Sequence, residues 1–586
     1  PQTGHCITMK TRFNQKIKLR MLVVGLGFFL VMAGIGAKAV YLQVFCGQWL
    51  SQKAADQYEK SQVTFGKRGT IYDTHQQPMA VTIETASVAA YPARIKNTAA
   101  TAKALAAALK LKRRSVARKL SSSKSFVWIK RQVTPKEVAA VTRLKLAGID
   151  FIPAQSRYYP QKNMAAQLIG FAGIDGRGLE GLEFYYDQEL VGPVRHSKVL
   201  KDAFGRGFDS SHTAAPRLAG HNLILTVDLT IQYITEKALE EAISTSQARS
   251  GMAVVMNPTT GAVLALAHYP FFNPNNFTAY QRADWRNRAV TDPFEPGSTM
   301  KIFSMAAALE SGKATANTIF FCENGRYTIG RNTVHDTSPR GWLSLQQIIK
   351  YSSNIGAVKV SELIGPEVLF NTLGYFGFGQ KTQIDCPGET VGSLAPFKHW
   401  SKIDAGAIAF GQGLSASALQ LATGASAIAN DGILMQPFVV RAITDRNGRI
   451  VKTFKPQQRA RVITPETAHT LRRIMMTVIT EGGTGTEAAL EEYTVCGKTG
   501  TAQKIDQQGT YAENKYIASF IGFAPAEKPE LTILVVIDEP TQGHYGGIVA
   551  APAFRKIARE TLNYLNVPPA VKRDRLTASH GGEVLG

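Results

Sequence analysis

Seventeen consecutive residues, Met21 to Ala37 (MLVVGLGFFLVMAGIGA), carry no charge, and beyond Lys38 the apolar run AVYLQVF continues to Phe45. This length spans about 30 Å of hydrocarbon if the Lys38 amine reaches back to the interface. A cleaved signal peptide is the competing reading. Its apolar region would be roughly 7–15 residues, ending at a small-x-small site. The run here is too long, and bulky Phe45 before Cys46 makes a poor lipidation site. Lys10, Arg12, Lys16, Lys18 and Arg20 precede the run with no acid among them. The positive-inside rule therefore puts the N-terminus in the cytoplasm and the rest across the membrane. No other apolar run of comparable length follows. The expected location is the cytoplasmic (inner) membrane, single-pass, with the bulk of the chain on the outer, periplasmic side. Met9 opens the run MKTRFNQKIKLR and is the expected start; residues 1–8 then carry no function.

The chain of 586 residues is too long for one core, and the formal net charge of +23 calls for a polyanionic neighbour. Export makes nucleic acid a poor candidate, which leaves the membrane surface or an acidic wall polymer. Lys110 to Lys145 is strongly basic, with Glu137 as its only acid. The favoured reading is the solvated face of a small domain, and docking on anionic lipid or wall polymer is the second. Phe126 and Trp128, two residues apart in FVWIKRQV, fall on one face of an expected half-buried strand. The five cysteines, Cys6, Cys46, Cys322, Cys386 and Cys496, form no CxxC pair, and no zinc-ligand spacing occurs. They read as small buried residues, with a disulfide among Cys322, Cys386 and Cys496 left open.

Five segments are expected: a cytoplasmic tail (1–20), a transmembrane anchor (21–45), a non-catalytic domain (46–218), a catalytic domain (219–566) and a disordered tail (567–586). The turn-rich stretch Asp209 to Gly220 marks the junction. Beyond it the pattern gives a strand at Asn222–Val227, a helix capped by Asp228, and a hairpin over Met252–His268. A helical block from Ser298 past Ala429 follows, then a helix at Thr467–Thr480. Three strands within Tyr493–Asp538 and a closing helix near Ala551–Leu565 complete the order. Strands from both ends of the domain imply an α/β (α+β) fold, an antiparallel sheet with helices on both faces.

Three short motifs lie in the second domain: Ser298-Thr299-Met300-Lys301 (S-x-x-K), Ser352-Ser353-Asn354 (S-x-N) and Lys498-Thr499-Gly500 (K-T-G). At i and i+3 of a helix, Ser298 and Lys301 share one face. A serine hydroxyl needs a base, and a lysine is a base only when neutral. Burial and a neighbouring cation, here Lys498, both drive it that way. S-x-x-K alone is weak, since Ser121 to Lys124 repeats it by chance in a basic run. Order and context make the set specific: Ser298 opens a helix after Pro296-Gly297, and Lys498 sits on a strand.

At these residues the sequence resembles the class B penicillin-binding proteins. FEPGSTMK around Ser298, CGKTGTAQK around Lys498, GQGLSASALQLA (411–422) and YGGIVAAPAF (545–554) resemble that family's active-site segments. KRGTIYD (67–73), FVWIKRQV (126–133) and GRGLEGLEFYYDQELVG (176–192) resemble its elongated pedestal. The pedestal likeness supports a structural reading of the basic region. Thr74-His75-Gln76-Gln77 departs from the family pattern and puts the local turn in doubt.

The resemblance implies the penicillin-recognising serine transpeptidase fold and a D-Ala-D-Ala transpeptidase that cross-links peptidoglycan stem peptides and is trapped by β-lactams. It implies Ser298 as nucleophile, Lys301 as base, Ser352 as proton relay and Asn354 as a hydrogen-bonding partner. Lys498, Thr499, Gly500 and Thr501 would hold the substrate carboxylate, with the backbone N–H groups of Ser298 and Thr501 as oxyanion hole. No metal or organic cofactor is implied. Asn354, GLEGLEFYYDQELVG and KDAFGR (201–206) resemble the division type more than the elongation type, which points to the septum. A polytopic glycosyltransferase and other division proteins are the implied partners. A hydrolase of the carboxypeptidase or β-lactamase kind and a non-catalytic scaffold are the alternatives; the intact triplet argues against the scaffold.

Overall fold

A computed structural model describes residues 6–192, 194–201, 207–208, 219–505 and 510–569. The chain divides into two units. The first comprises residues 1–66 and 193–218. Its helix α1 (Cys6–Val40) runs on through a π-helical turn, Tyr41–Phe45. Ile17–Phe45, 29 residues, is the one stretch among the described residues long and apolar enough to cross a membrane, and none of it is buried. Helix α2 (Gly47–Tyr58) leads into β1 (Glu59–Phe65), which pairs antiparallel with a later strand, Val194–Lys201. Most of the expected junction (209–218), Asp202–Arg206 and residues 570–586 of the expected tail lie outside the described residues.

The second unit holds residues 67–192 and 219–586. Its pedestal portion is built on β2 (Ile71–Tyr72), β3 (Pro78–Ala90), β4 (Val127–Val133) and β5 (Ile149–Tyr158). Helices α3 (Thr98–Leu109), α4 (Arg113–Leu120) and α5 (Pro135–Arg143) pack against the outer half of β3 around Leu105, Leu109, Val116, Leu120 and Ile129. The basic stretch is therefore a folded module. The second S-x-x-K copy begins at the C-cap of α4, where Lys124 is exposed and no helix continues. The departure at Thr74–Gln77 still closes a tight turn. The Asp73 carboxylate accepts from the backbone N–H of His75 and Gln77, and Gln76 takes the left-handed conformation at φ 62.

The strand at Asn222–Leu225, expected in the catalytic sheet, instead lies between β2 and a distant strand, Val440–Thr444. Its alternation fits either sheet, and only the pairing decides. After it, Asp228 caps α6 (Leu229–Ser246) as expected, accepting from the N–H of Thr230 and Ile231.

The catalytic sheet has five antiparallel strands: β6 (Ser250–Met256), β7 (Val263–Tyr269), β8 (Cys496–Ile505), β9 (Tyr511–Ala524) and β10 (Leu531–Asp538), in the spatial order β7-β6-β10-β9-β8. Every residue of β10 is buried, as a central strand covered on both faces requires. On one face lie α6 and the closing helix Ala551–Tyr564, around Leu239, Phe520 and Phe554. On the other lies a helix over Ala418–Ala429, buried all round. The expected helical block is interrupted by two small hairpins, Ile319–Phe321 with Trp342–Ser344 and Arg326–Ile329 with Asn332–His335. Cys322, Cys386 and Cys496 are buried free thiols, so the disulfide left open does not form. Val567, assigned to the tail, is held by the Tyr493 hydroxyl at 2.8 Å.

The pedestal strands are tied together by a buried ionic knot. Glu183, fully buried, accepts from Arg68 Nε and Arg157 Nε, each at 2.6 Å. Arg68 also reaches Asp187 at 2.6 Å. Burial alone would raise the Glu183 carboxyl, but Arg157 and Arg68 outweigh it and hold it below its ordinary value. Removing the acid leaves buried Arg157 without a carboxylate and Arg68 with Asp187 alone. Glu183→Ala is expected to lower stability by about 3–5 kcal/mol, read from urea unfolding of the detergent-solubilised chain. An unchanged midpoint would contradict this account of the knot.

Candidate active site

Pro296 and Gly297 turn the chain into a short 3₁₀ turn, Gly297–Met300, which continues as α7 (Lys301–Glu310). Gly297 has φ +55, and a Cβ there would lie 2.9 Å from the Thr501 carbonyl oxygen. Only glycine lets the Ser298 turn approach strand β8 so closely. Its N–H donates to Gly411 O at 3.0 Å, which ties in the GQG segment. Ser298 is thereby set at the helix start beside β8.

Lys301 follows one turn later and is completely buried. Its Nζ lies 3.1 Å from Ser298 Oγ, 2.5 Å from Ser352 O, 2.8 Å from Asn354 Oδ1 and 3.3 Å from Ser352 Oγ. A neutral amine has two N–H donors and one lone pair. The Ser352 carbonyl and Asn354 amide oxygens take the donors, which leaves the lone pair for the Ser298 hydroxyl. Burial pushes the Lys301 pKa down to about 7, opposed in part by Asp336. The group is therefore poised to change state near neutrality.

Lys498 comes in from β8, also completely buried. Its Nζ donates to Ser352 Oγ at 2.9 Å and to Thr499 O at 2.9 Å. Burial first, and then Lys301, push it well below the ordinary lysine range. The Ser352 hydroxyl thus bridges two amines. Ser352 itself has φ 61, left-handed for a non-glycine residue, which turns its carbonyl and its hydroxyl toward the same amine.

All eight side chains and backbone positions singled out in the sequence converge here. The Thr501 hydroxyl accepts from Gly546 N–H at 3.2 Å, and the Thr499 hydroxyl meets Thr484 Oγ1 at 3.0 Å. A Cβ on Gly500 would lie 2.3 Å from Ser519 Oγ and 2.8 Å from the Thr299 methyl, so strand β8 and the Ser298 turn are in contact at that point too. Sequence reasoning missed Asp336. It lies in the loop after the second hairpin and accepts from Ser353 Oγ and Asn354 N at 2.5 Å and from Ile355 N at 3.0 Å. Asp336 caps the helix Asn354–Ile364 and so aims the S-x-N turn. Glu295 was missed as well. It accepts from Gly413 N at 2.8 Å and from Tyr511 OH at 3.2 Å, at the edge of the site. Asp336 lies in none of the quoted segments, whereas Glu295 lies inside FEPGSTMK, where only Ser298 and Lys301 carry a recognisable chemical spacing.

Serine, two buried amines and a bridging hydroxyl are the parts of a Ser–Lys acyl-transfer site. Residues 251–559 match the family described as the penicillin binding protein transpeptidase domain, and residues 63–225 match the penicillin-binding protein dimerisation domain. The chain belongs to the class B penicillin-binding proteins. It is 36% identical to a probable peptidoglycan D,D-transpeptidase, PenA, of Neisseria meningitidis over 94% of this chain and 93% of that one. It is 32% identical to the peptidoglycan D,D-transpeptidase FtsI of Escherichia coli over 95% and 93%. Among solved structures it is similar to penicillin-binding protein 3 of Mycobacterium tuberculosis complexed with aztreonam, with TM-score 0.68 and 28% identity, covering 87% of this chain and 98% of that one.

For this penicillin-binding protein the lone pair on Lys301 sets a pH dependence. A base role for Lys301 needs the neutral amine, which is populated above its pKa. The rate of acylation by a fluorescent penicillin is expected to rise through pH about 7 and level off above it, followed by stopped flow. A rate that falls across that window would contradict the assignment. The Asp336 carboxylate holds the Lys301 pKa up, so Asp336→Asn is expected to shift the rising limb toward lower pH. A limb that stays in place would remove Asp336 from the electrostatics of the site.

Proposed function

We propose that this chain is a peptidoglycan D,D-transpeptidase that cross-links stem peptides through an acyl-enzyme on Ser298, during septum synthesis. The observation that carries the reading is the hydrogen-bonded array Ser298–Lys301–Ser352–Lys498, in which a buried amine faces the nucleophile. Lys301 takes the Ser298 proton as Oγ attacks the carbonyl of the penultimate D-Ala. Backbone N–H groups of Ser298 and Thr501 receive the developing oxyanion. The proton passes through Ser352 to the departing D-Ala amine, whose C–N bond breaks as the ester forms. Asn354 holds Lys301 and the peptide. Lys498, Thr499 and Thr501 hold the terminal carboxylate, with Gly500 giving the strand its close approach. An amine of a second stem peptide then attacks the ester, loses its proton to the same base, and frees Ser298. A β-lactam enters the first half and stays, because its leaving amine remains tethered.

The anchor keeps the N-terminus in the cytoplasm and presents the catalytic domain on the periplasmic side, where the polymer lies. A polytopic glycosyltransferase and other division proteins are the partners this arrangement calls for. Similarity to FtsI along most of the chain supports septal work over elongation.

Ser298→Ala is expected to abolish labelling by fluorescent penicillin while the wild type holds a persistent adduct. Retained labelling overturns the nucleophile, and rapid penicillin turnover without a lasting adduct favours a hydrolase. Depletion in the native cell is expected to give filaments; rounded cells would place the enzyme in elongation.

A further inference from the structure

Between Tyr91 and Ile152 lie fifteen lysines and arginines against two acids, Glu137 and Asp150. That surplus is more than half of the formal net charge of +23, in about a tenth of the chain. The module formed by α3, α4, β4 and α5 does not need it for folding, since its core is apolar. Among the described residues only two of the fifteen reach a carboxylate, Lys130 on Glu137 at 2.5 Å and Arg131 on Asp175 at 2.7 Å. Lys112, Arg113, Arg114, Arg118 and Lys124 are exposed and meet no acid among the described residues. Helix α4 carries the charge against its own interest. Arg113 and Arg114 occupy its first turn, where the helix dipole disfavours cations, and Arg114 and Arg118 are like charges one turn apart.

We propose that this module grips the anionic glycan strand, through stem-peptide carboxylates of polymer not yet cross-linked. The demand for a polyanion follows from the surface itself; the choice of this polymer rests on the proposed function. Two observations favour a glycan over lipid headgroups. The apolar sides of α3 and α4, including Leu105, Val116 and Leu120, are turned into the core, whereas an interfacial helix keeps such a face for the acyl boundary. Beside α4, Tyr91, Phe126 and Trp128 stack edge to face at 5.8 and 4.9 Å. Arg94 lies over the Tyr91 ring at 4.9 Å and Arg131 near the Trp128 ring at 5.7 Å. Trp128 stays 37% exposed. An indole face next to guanidinium groups suits a pyranose ring bearing carboxylate arms: ring C–H groups pack on the aromatic face, and guanidinium takes carboxylate bidentately. The module belongs to the same compact unit as Ser298, so a gripped strand is tethered to the unit that carries the site.

The test uses the full chain in detergent and purified insoluble peptidoglycan sacculi, with bound protein measured by pelleting. Wild type and Ser298→Ala are expected to bind alike, and binding should weaken as salt rises. The combined variant Arg113→Gln, Arg114→Gln, Arg118→Gln and Lys124→Gln is expected to bind at least about tenfold more weakly, with fluorescent-penicillin labelling unchanged. Sacculi whose carboxylates have been amidated should lose wild-type binding to a similar degree. Equal pelleting of the variant and wild type overturns the proposal, as does undiminished binding to amidated sacculi. A variant that pellets normally but loses preference for phosphatidylglycerol nanodiscs assigns the surface to lipid and also overturns it. Absent penicillin labelling in the wild type would instead defeat the transpeptidase reading, with sacculus binding as a separate readout.

Discussion

Two lysine amines, Lys301 and Lys498, are buried completely and share one serine hydroxyl. Burying an ammonium is expensive unless it is paired, and no carboxylate is hydrogen-bonded to either amine among the described residues. The chain accommodates them by giving Lys301 carbonyl, amide and hydroxyl partners and Lys498 carbonyl and hydroxyl partners, and by pushing both below the ordinary lysine range. A depressed amine beside a serine is what the chemistry requires. The destabilising feature and the catalytic one are therefore the same feature, and the surrounding fold has to be stable enough to hold it.

The architecture shows how. One amine comes from a helix, the other from an edge strand, and the bridging Ser352 from a turn between two helices. Gly297 and Gly500 let the helix start and the strand touch. Asp336 fixes the turn from outside without a direct hydrogen bond to either lysine, and its charge keeps the Lys301 pKa from falling further. On the pedestal side the logic is reversed. There Glu183 is held ionised between Arg68 and Arg157, a buried carboxylate paired on both sides that ties the pedestal together.

Much of this was legible in the sequence because the signals are local. The anchor is a run of apolar residues, the Asp228 cap is a single side chain before a helix, and S-x-x-K encodes a helical face. The three strands of the C-terminal half were legible for the same reason. What was not legible depends on pairing across long separations. Asn222–Leu225 alternates like any strand, yet pairs with Val440–Thr444 and β2 rather than with the catalytic sheet. Asp336 acts through backbone N–H groups that no motif records. The small hairpins within the helical block are too short for periodicity to separate from loops. The basic stretch was visible as charge, but only the fold separates its buried apolar residues from the exposed arginines.

The proposed mechanism depends on which oxygen is acylated. Treating the intact chain with a penicillin, digesting it and mapping the adduct by mass spectrometry addresses that directly. One modified peptide is expected, with the mass of the opened lactam on Ser298. An adduct on Ser352 or Ser121, or no stable adduct at all, would contradict it.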